Sequence, residues 1–212
     1  MNKPQDYDTV QAYTGQTPLP PGGYVCRIMQ VLETTAKSSG APMLKISLDI
    51  AEGDHKDRFA GLYRADTNPD KKWKCVVNQL VYDPNNANTT NRGFKSFTTS
   101  AEKSNQGFVI QWGDRFGECF KNKLVGVVFR REQYVSDYDG SLQFSTKPAF
   151  FRSVEEIRKG VPIPADKLLD GTTQPYSPQP APAPQQVAPA SLQGVGDLSD
   201  FDEIISDVPL PF

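Results

Sequence analysis

Met43–Leu44–Lys45–Ile46–Ser47–Leu48–Asp49–Ile50–Ala51 alternates apolar and polar residues without a break from Leu44 to Ile50. A period of two sends successive side chains to opposite faces, as in a β-strand half buried in a sheet. Leu44, Ile46, Leu48 and Ile50 form the inward face; Lys45, Ser47 and Asp49 form the outward face. A half-buried strand needs neighbours, and the flanking sequence supplies them.

Upstream, Tyr24 to Leu32 also alternates, with Tyr24, Cys26 and Ile28 on one face and Val25, Arg27, Met29 and Val31 on the other. Ser38–Ser39–Gly40–Ala41–Pro42 is a turn, so the two strands form an antiparallel pair. Downstream, Glu52–Gly53–Asp54–His55–Lys56–Asp57 is a polar turn and Arg58 to Arg64 a third, shorter strand. Asn68–Pro69–Asp70 is a helix start: an N-cap, then proline in the first helical position. Trp73, Val76, Val77, Leu80 and Val81 follow at helical spacing, which predicts a helix over 68–81 with Trp73 packing it onto the sheet.

Residues 84–107 are rich in Asn, Thr, Ser and Gly, with one short helix expected near Thr99–Lys103. Phe108 to Trp112 is a minor strand. Leu124 to Arg131 is a buried strand with basic residues at its end, Asp137–Tyr138–Asp139–Gly140 carries the Asp-Gly hairpin signal, and Leu142 to Phe151 returns. Ser153–Val154–Glu155–Glu156 is a capping box whose helix stops at Gly160. The pattern is lost from about Ala165.

This order predicts a mainly β fold: five strands with a helix between the third and fourth, the order of an OB-fold barrel, an architecture that binds oligonucleotides. The expected organisation is a flexible arm (1–22), an OB-fold body (23–164), a disordered Pro/Gln/Ala-rich linker (165–196) and an acidic tail (197–212).

Composition supports a division into body and tail. The chain has 212 residues, 18 prolines and only 37% hydrophobic content, low for a single globule. Its net charge of −2 hides an asymmetry. Residues 171–212 hold five acids (Asp197, Asp200, Asp202, Glu203, Asp207) and no base. Removing those from 25 acids leaves 23 basic and 20 acidic residues in 1–170, a net +3. A mildly basic body with an acidic end is a meaningful polarity.

The tail closes on Val208–Pro209–Leu210–Pro211–Phe212, with apolar residues in an acidic field. It resembles the C-terminal tip of bacterial and phage single-stranded-DNA-binding proteins, where an acidic run ends in Pro–Phe after a disordered linker and an OB-fold. This chain spreads its charges, and Val208–Pro209 intervenes before the Leu–Pro–Phe end. The body is similar to phage proteins taken to be single-stranded-DNA binders. The matching residues are Gly23–Tyr24, Ser39–Gly40 before Met43–Leu44, the run Lys121–Asn122–Lys123–Leu124–Val125–Gly126–Val127, and Phe151–Arg152–Ser153–Val154 with Ile157–Arg158. The resemblance implies that Asp202, Glu203, Asp207, Pro209, Leu210, Pro211 and Phe212 capture partner proteins.

Single-strand binders join a basic groove to aromatic faces on which bases stack. The DNA-binding candidates are Arg27, Lys45, Arg58, Phe59, Tyr63, Arg64, Trp112, Arg130, Arg131, Tyr134, Phe144, Lys147 and Arg152. Lys71, Lys72, Lys74, Arg92 and Lys95 flank them. For any single aromatic, core packing is the ordinary role, because Phe is mostly buried.

Catalysis is not expected. There is no phosphate-cradling Gly-x-x-x-x-Gly-Lys loop and no Gly-x-Ser-x-Gly elbow. The Asp54–His55–Lys56–Asp57 cluster is read as a turn, since the only histidine lacks a second imidazole. Cys26, Cys75 and Cys119 are odd in number and without metal-ligand spacing, which suits a reducing cytosol. No metal or cofactor is expected. No apolar run approaches 18 residues and no signal peptide is evident, so a cytoplasmic location follows, the bacterial host's if the protein is phage-encoded.

The expected function is to coat single-stranded DNA in replication and recombination, recruiting replication, recombination and repair proteins through the tail. Self-association is compatible with it. The alternatives are a strand-annealing or recombination-mediator protein on the same fold, and a tail-mediated adaptor that binds no DNA.

Overall fold

The computed structural model describes Lys3 and residues 17–178. The chain divides into two units, Met1–Tyr176 and Ser177–Phe212. Every element below belongs to the first. The expected tail residues Asp202, Glu203, Asp207, Pro209, Leu210, Pro211 and Phe212 lie outside the described residues, as does the linker beyond residue 178.

Strand β1 (Gly22–Thr35) pairs antiparallel with β2 (Pro42–Ile50). Gly40, at φ +67°, closes their turn, a backbone region open to glycine without strain. Leu44, Ile46, Leu48 and Ile50 face the core as the alternation requires, each 2% exposed or less. A bulge between Ile28 and Gln30 shifts the phase of β1. Val31 therefore joins Cys26 and Ile28 in the core, not Val25 on the other face.

Asp49 is also not outward. It is buried, and its carboxylate accepts the Phe59 N–H at 2.9 Å and the Ala60 N–H at 3.1 Å. These are first-turn donors of helix α1 (Arg58–Ala65), where a third strand was expected. Free N–H groups at a helix start need an acceptor, and a carboxylate on the neighbouring strand provides one.

The expected helix over 68–81 is a turn followed by strand β3 (Val76–Leu80) on the edge of β2. The Asn68 side chain accepts the Asp70 N–H at 2.9 Å, making an Asx turn where a helix cap was expected. The Leu48 N–H bonds Cys75 O at 3.0 Å, which extends the pairing backwards. β-Branched Val76 and Val77 suit a pleated surface, and the open edge of β2 decides the matter.

A small hairpin, β4 (Tyr82–Asp83) and β5 (Asn86–Thr90), leads into helix α2 (Arg92–Ser104). Asn91 caps α2, accepting from the Gly93 and Phe94 N–H groups. The helix is 13 residues long and buries Phe94, Phe97, Thr98 and Ala101 at helical spacing, well beyond the short turn expected at 99–103. Residues 108–112 belong to no sheet, contrary to the expected minor strand.

After the short helix α3 (Phe116–Cys119), β6 (Leu124–Val135) and β7 (Leu142–Arg152) form the predicted hairpin, turning at Gly140 with φ +70°. Helix α4 (Val154–Lys159) carries the predicted capping box and ends at Gly160. Two short strands follow, β8 (Asp166–Lys167) and β9 (Thr173–Gln174), so the folded unit runs past the boundary expected at 164. The N-terminal arm is also tied down before residue 22. Leu19 is buried, and its carbonyl accepts the Thr146 hydroxyl.

The sheet order is β3-β2-β1-β6-β8-β9, with β7 on the other edge of β6. The fold is mainly β, but the strands do not close into a barrel. Between β3 and β7 lies a groove of about 370 Å³ lined by Val76, Asn78, Thr146, Lys147 and Pro148. The main core cluster gathers around Phe97, Phe120 and Phe129, with Phe97 5.0 Å from Phe151, and a smaller one of Val25, Ala51 and Val154 lies apart from it. Cys26, Cys75 and Cys119 are free thiols. Burial pushes Cys26 well up and Cys75 to about 12, which keeps both protonated and unreactive. Among the described residues, no helix is long and apolar enough to cross a membrane.

Candidate functional site

The residues singled out from the sequence fall into three groups. Some are structural. Phe59 is 8% exposed and stacks on Phe129 at 6.4 Å, so it belongs to the core and offers no face to a ligand. Arg131 is equally committed. Its guanidinium makes a two-pronged ion pair with the fully buried Asp166, lies 4.7 Å over the Phe144 ring, and has Tyr176 4.7 Å away on a second ring contact. The hydrogen-bonded carboxylate holds its pKa above the usual arginine range. Phe144 is thereby occupied as well. Arg58 donates to Thr17 O and holds the incoming arm.

A second group lies along the β6–β7 ribbon. Arg130 sits directly opposite Lys147, pairs with Glu132 at 2.8 Å and stands over Phe150 at 5.6 Å. Tyr134 is exposed and bonds Gln143 at 3.2 Å. Arg152 is exposed and turns back to Phe151 O. Arg27 is half-buried on β1 beside Asp49 and Leu124, and Arg64 is exposed in the last turn of α1.

The third group forms a groove. On the outer side of β1 and β2, a depression of about 660 Å³ is lined by Met29, Gln30, Leu32, Ser47, Tyr63, Lys71, Trp73 and Lys121, with Glu118 at its edge. Tyr63 and Trp73 sit side by side, ring centroids 5.6 Å apart. The Trp73 indole N–H donates to Leu48 O at 2.7 Å, which fixes the ring against the strand. Lys71 Nζ stands 4.7 Å over the Tyr63 ring. Lys45 is exposed next along the face, paired across the strands with Leu32. Among the described residues Lys45, Lys71 and Lys121 have no ion-pair partner. A groove with fixed rings and uncompensated ammonium groups can hold a flat, polyanionic ligand by stacking and charge together.

Only Tyr63 and Lys45 of this groove were among the binding candidates. Trp73 had been assigned to packing, a role it does perform. The overlooked signal is local: Lys71–Lys72–Trp73–Lys74 interleaves an aromatic with three cations. Lys121 reaches the groove from α3's far end, a juxtaposition no local pattern contains.

Trp112 stands apart, 69% exposed. It stacks on Phe116 at 5.2 Å with an interplanar angle of 23°.

Residues 5–104 match a family described as a protein of unknown function, DUF669. That stretch, just under half of the chain, contains the Tyr63–Trp73 groove apart from Gly117, Glu118 and Lys121, and stops short of Trp112. A search of curated proteins returned no match to this chain.

Proposed function

We propose that the folded unit binds single-stranded DNA and that the protein coats exposed strands during phage or bacterial replication and recombination. It would work in the cytoplasm, with the acidic tail recruiting partner enzymes. The observation that carries this reading is the β1–β2 groove: the adjacent Tyr63 and Trp73 rings, with Lys71 and Lys121 lining it and Lys45 beside it, all three without an ion-pair partner among the described residues.

The strand order gives further support. Apart from the two-residue strands β8 and β9, the main sheet has five strands: the first pairs with the second and fourth, the second with the third, and the fourth with the fifth. Helix α2 falls between the third and fourth. This pairing supports an OB-fold reading, a five-stranded and partly open barrel, in which β3 and β7 stay apart. OB-folds bind oligonucleotides on the face of their second and third strands and on nearby loops, and β2 contributes Ser47 to the groove.

The test is a titration of the full chain with single-stranded and duplex oligonucleotides across salt concentrations. Tighter binding to the single strand is expected, with little sequence preference and a log–log salt slope of about −0.7 per phosphate neutralised. Equal affinity for duplex, or a flat salt response, would overturn the reading and leave the tail-mediated adaptor.

A further inference from the structure

A tryptophan ring left in water forfeits a large apolar burial, since aromatic side chains bury about 150–250 Å² each when packed. Trp112 is left in water, yet it is not loose. One face stacks on Phe116, and Phe94 meets it edge-on with centroids 6.4 Å apart; both partners are 6% exposed core residues. The next residue, Gly113, takes φ +90°, and its carbonyl accepts the Phe116 N–H at 2.9 Å. The turn thus folds the chain back so that the indole rests on its own downstream ring. A flat apolar surface is held out to water with its other side backed by core rings.

The two sides of this ring differ in charge. One flank is a groove of about 690 Å³ lined by Thr90, Arg92, Lys95 and Glu102 along α2. Among the described residues Arg92 and Lys95 have no ion-pair partner. Glu102, the acid on this side, is turned toward the Ile110 N–H at 3.5 Å. The other flank carries Glu33 and Asp114. A ligand that stacks on the indole and bears negative charge is therefore steered to the α2 side.

This platform lies at the same end of β1 and of α3 as the β1–β2 groove: Leu32 and Gly117 line the groove, and their sequence neighbours Glu33 and Phe116 line the Trp112 surroundings. We infer that Trp112, with Arg92 and Lys95, is a second stacking station for single-stranded DNA, in series with the Tyr63–Trp73 groove. The inference rests on the proposed function above and adds a path to it. The strand stacks at Tyr63–Trp73, passes α3, and places a further base on Trp112 with its phosphate toward α2.

The chain has two tryptophans, one per station, so each station can be followed by its own emission. In full-length Trp73→Phe protein, Trp112 emission should fall on adding dT oligonucleotides of about 16 residues and stay nearly unchanged with about 4, the span reported for single OB-folds. In Trp112→Phe protein, Trp73 emission should respond to both lengths. Trp112→Ala should weaken binding of the longer oligonucleotide about 5- to 150-fold, the equivalent of about 1–3 kcal/mol for one stacked base. Arg92→Ala/Lys95→Ala, at two exposed positions, should lower the salt slope by about 1.4, at about 0.7 per phosphate. If Trp73 responds while Trp112 and the Arg92/Lys95 pair do not matter, the second station is wrong and the proposed function stands. If the unmodified chain fails to bind at all, both fall.

Discussion

Lys71 and Arg131 both stand over aromatic rings, but their surroundings differ. At the β1–β2 groove Lys71 stands over Tyr63 beside Trp73, with no carboxylate partner among the described residues. At the far end of β6, Arg131 lies against Phe144 and Tyr176 and is gripped by the buried Asp166. In sequence both are a base near aromatics. In the fold, Lys71 is left without an ion-pair partner among the described residues, at the proposed DNA site, whereas Arg131 holds β8 against the sheet through Asp166. Composition alone does not separate the two cases; ion pairing does.

The contrast is sharpest at Asp166. Asp166→Ala would strand the Arg131 guanidinium, whose side chain is 13% exposed, without its counter-charge. Breaking a buried pair from one side costs about 3–5 kcal/mol. Urea denaturation should show that loss, while DNA affinity per folded molecule stays put. A chain ending at 164 should lose at least as much, since it lacks Asp166 and both β8 and β9. If Asp166→Ala instead weakened DNA binding without loss of stability, the two sites would not be separate.

Tyr63→Ala probes the open partner of the comparison. It should cost about 1–3 kcal/mol of binding to a single strand by removing a stacking face. The thermal midpoint should move far less than with Asp166→Ala, because Tyr63 is only half-buried. A collapse in stability with no separate effect on affinity would return Tyr63 to the core.

A smaller effect tests whether carboxylates serve local structure elsewhere. Glu156 accepts from the Ser153 N–H and hydroxyl, and those bonds hold its pKa below the ordinary glutamate value. Its contribution is present above the unfolded pKa and is lost as pH falls through the lower folded value. Ser153→Ala should cost about 1 kcal/mol at neutral pH. The gap from the unmodified protein should narrow in acid, as read by denaturation at a series of pH values.

The smallest change is expected at Glu52. It pairs with Arg158 at 2.6 Å, but the side chains are 43% and 59% exposed. Removing it should cost no more than about 1 kcal/mol. A loss as large as that of Asp166→Ala would mean that burial is not what separates the ion pairs.

Much of the sheet was legible locally. The strict alternation of 44–50, the apolar run of 125–129, the turns at Gly40 and Gly140 and the Ser153 capping box each carry their structure in neighbouring residues. Local signals failed where a distant group settled the outcome. Arg58–Ala65 became helical because Asp49 on another strand satisfies its first N–H groups. Val76–Leu80, whose apolar spacing fits a helix, became a strand because β2 offered an edge.

The same division holds for the candidate site. The sequence by itself determined the mainly β character, the basic body and acidic end, and the presence of rings among cations. Only the tertiary structure decided which of those rings face water and which cations are spoken for. It buried Phe59, tied Arg131 to Asp166 across 35 residues of chain, and brought Lys121 to Trp73. Periodicity reports on which side of its own element a residue lies. Ion pairing and exposure depend on groups far away in sequence, and those become neighbours only when the elements pack.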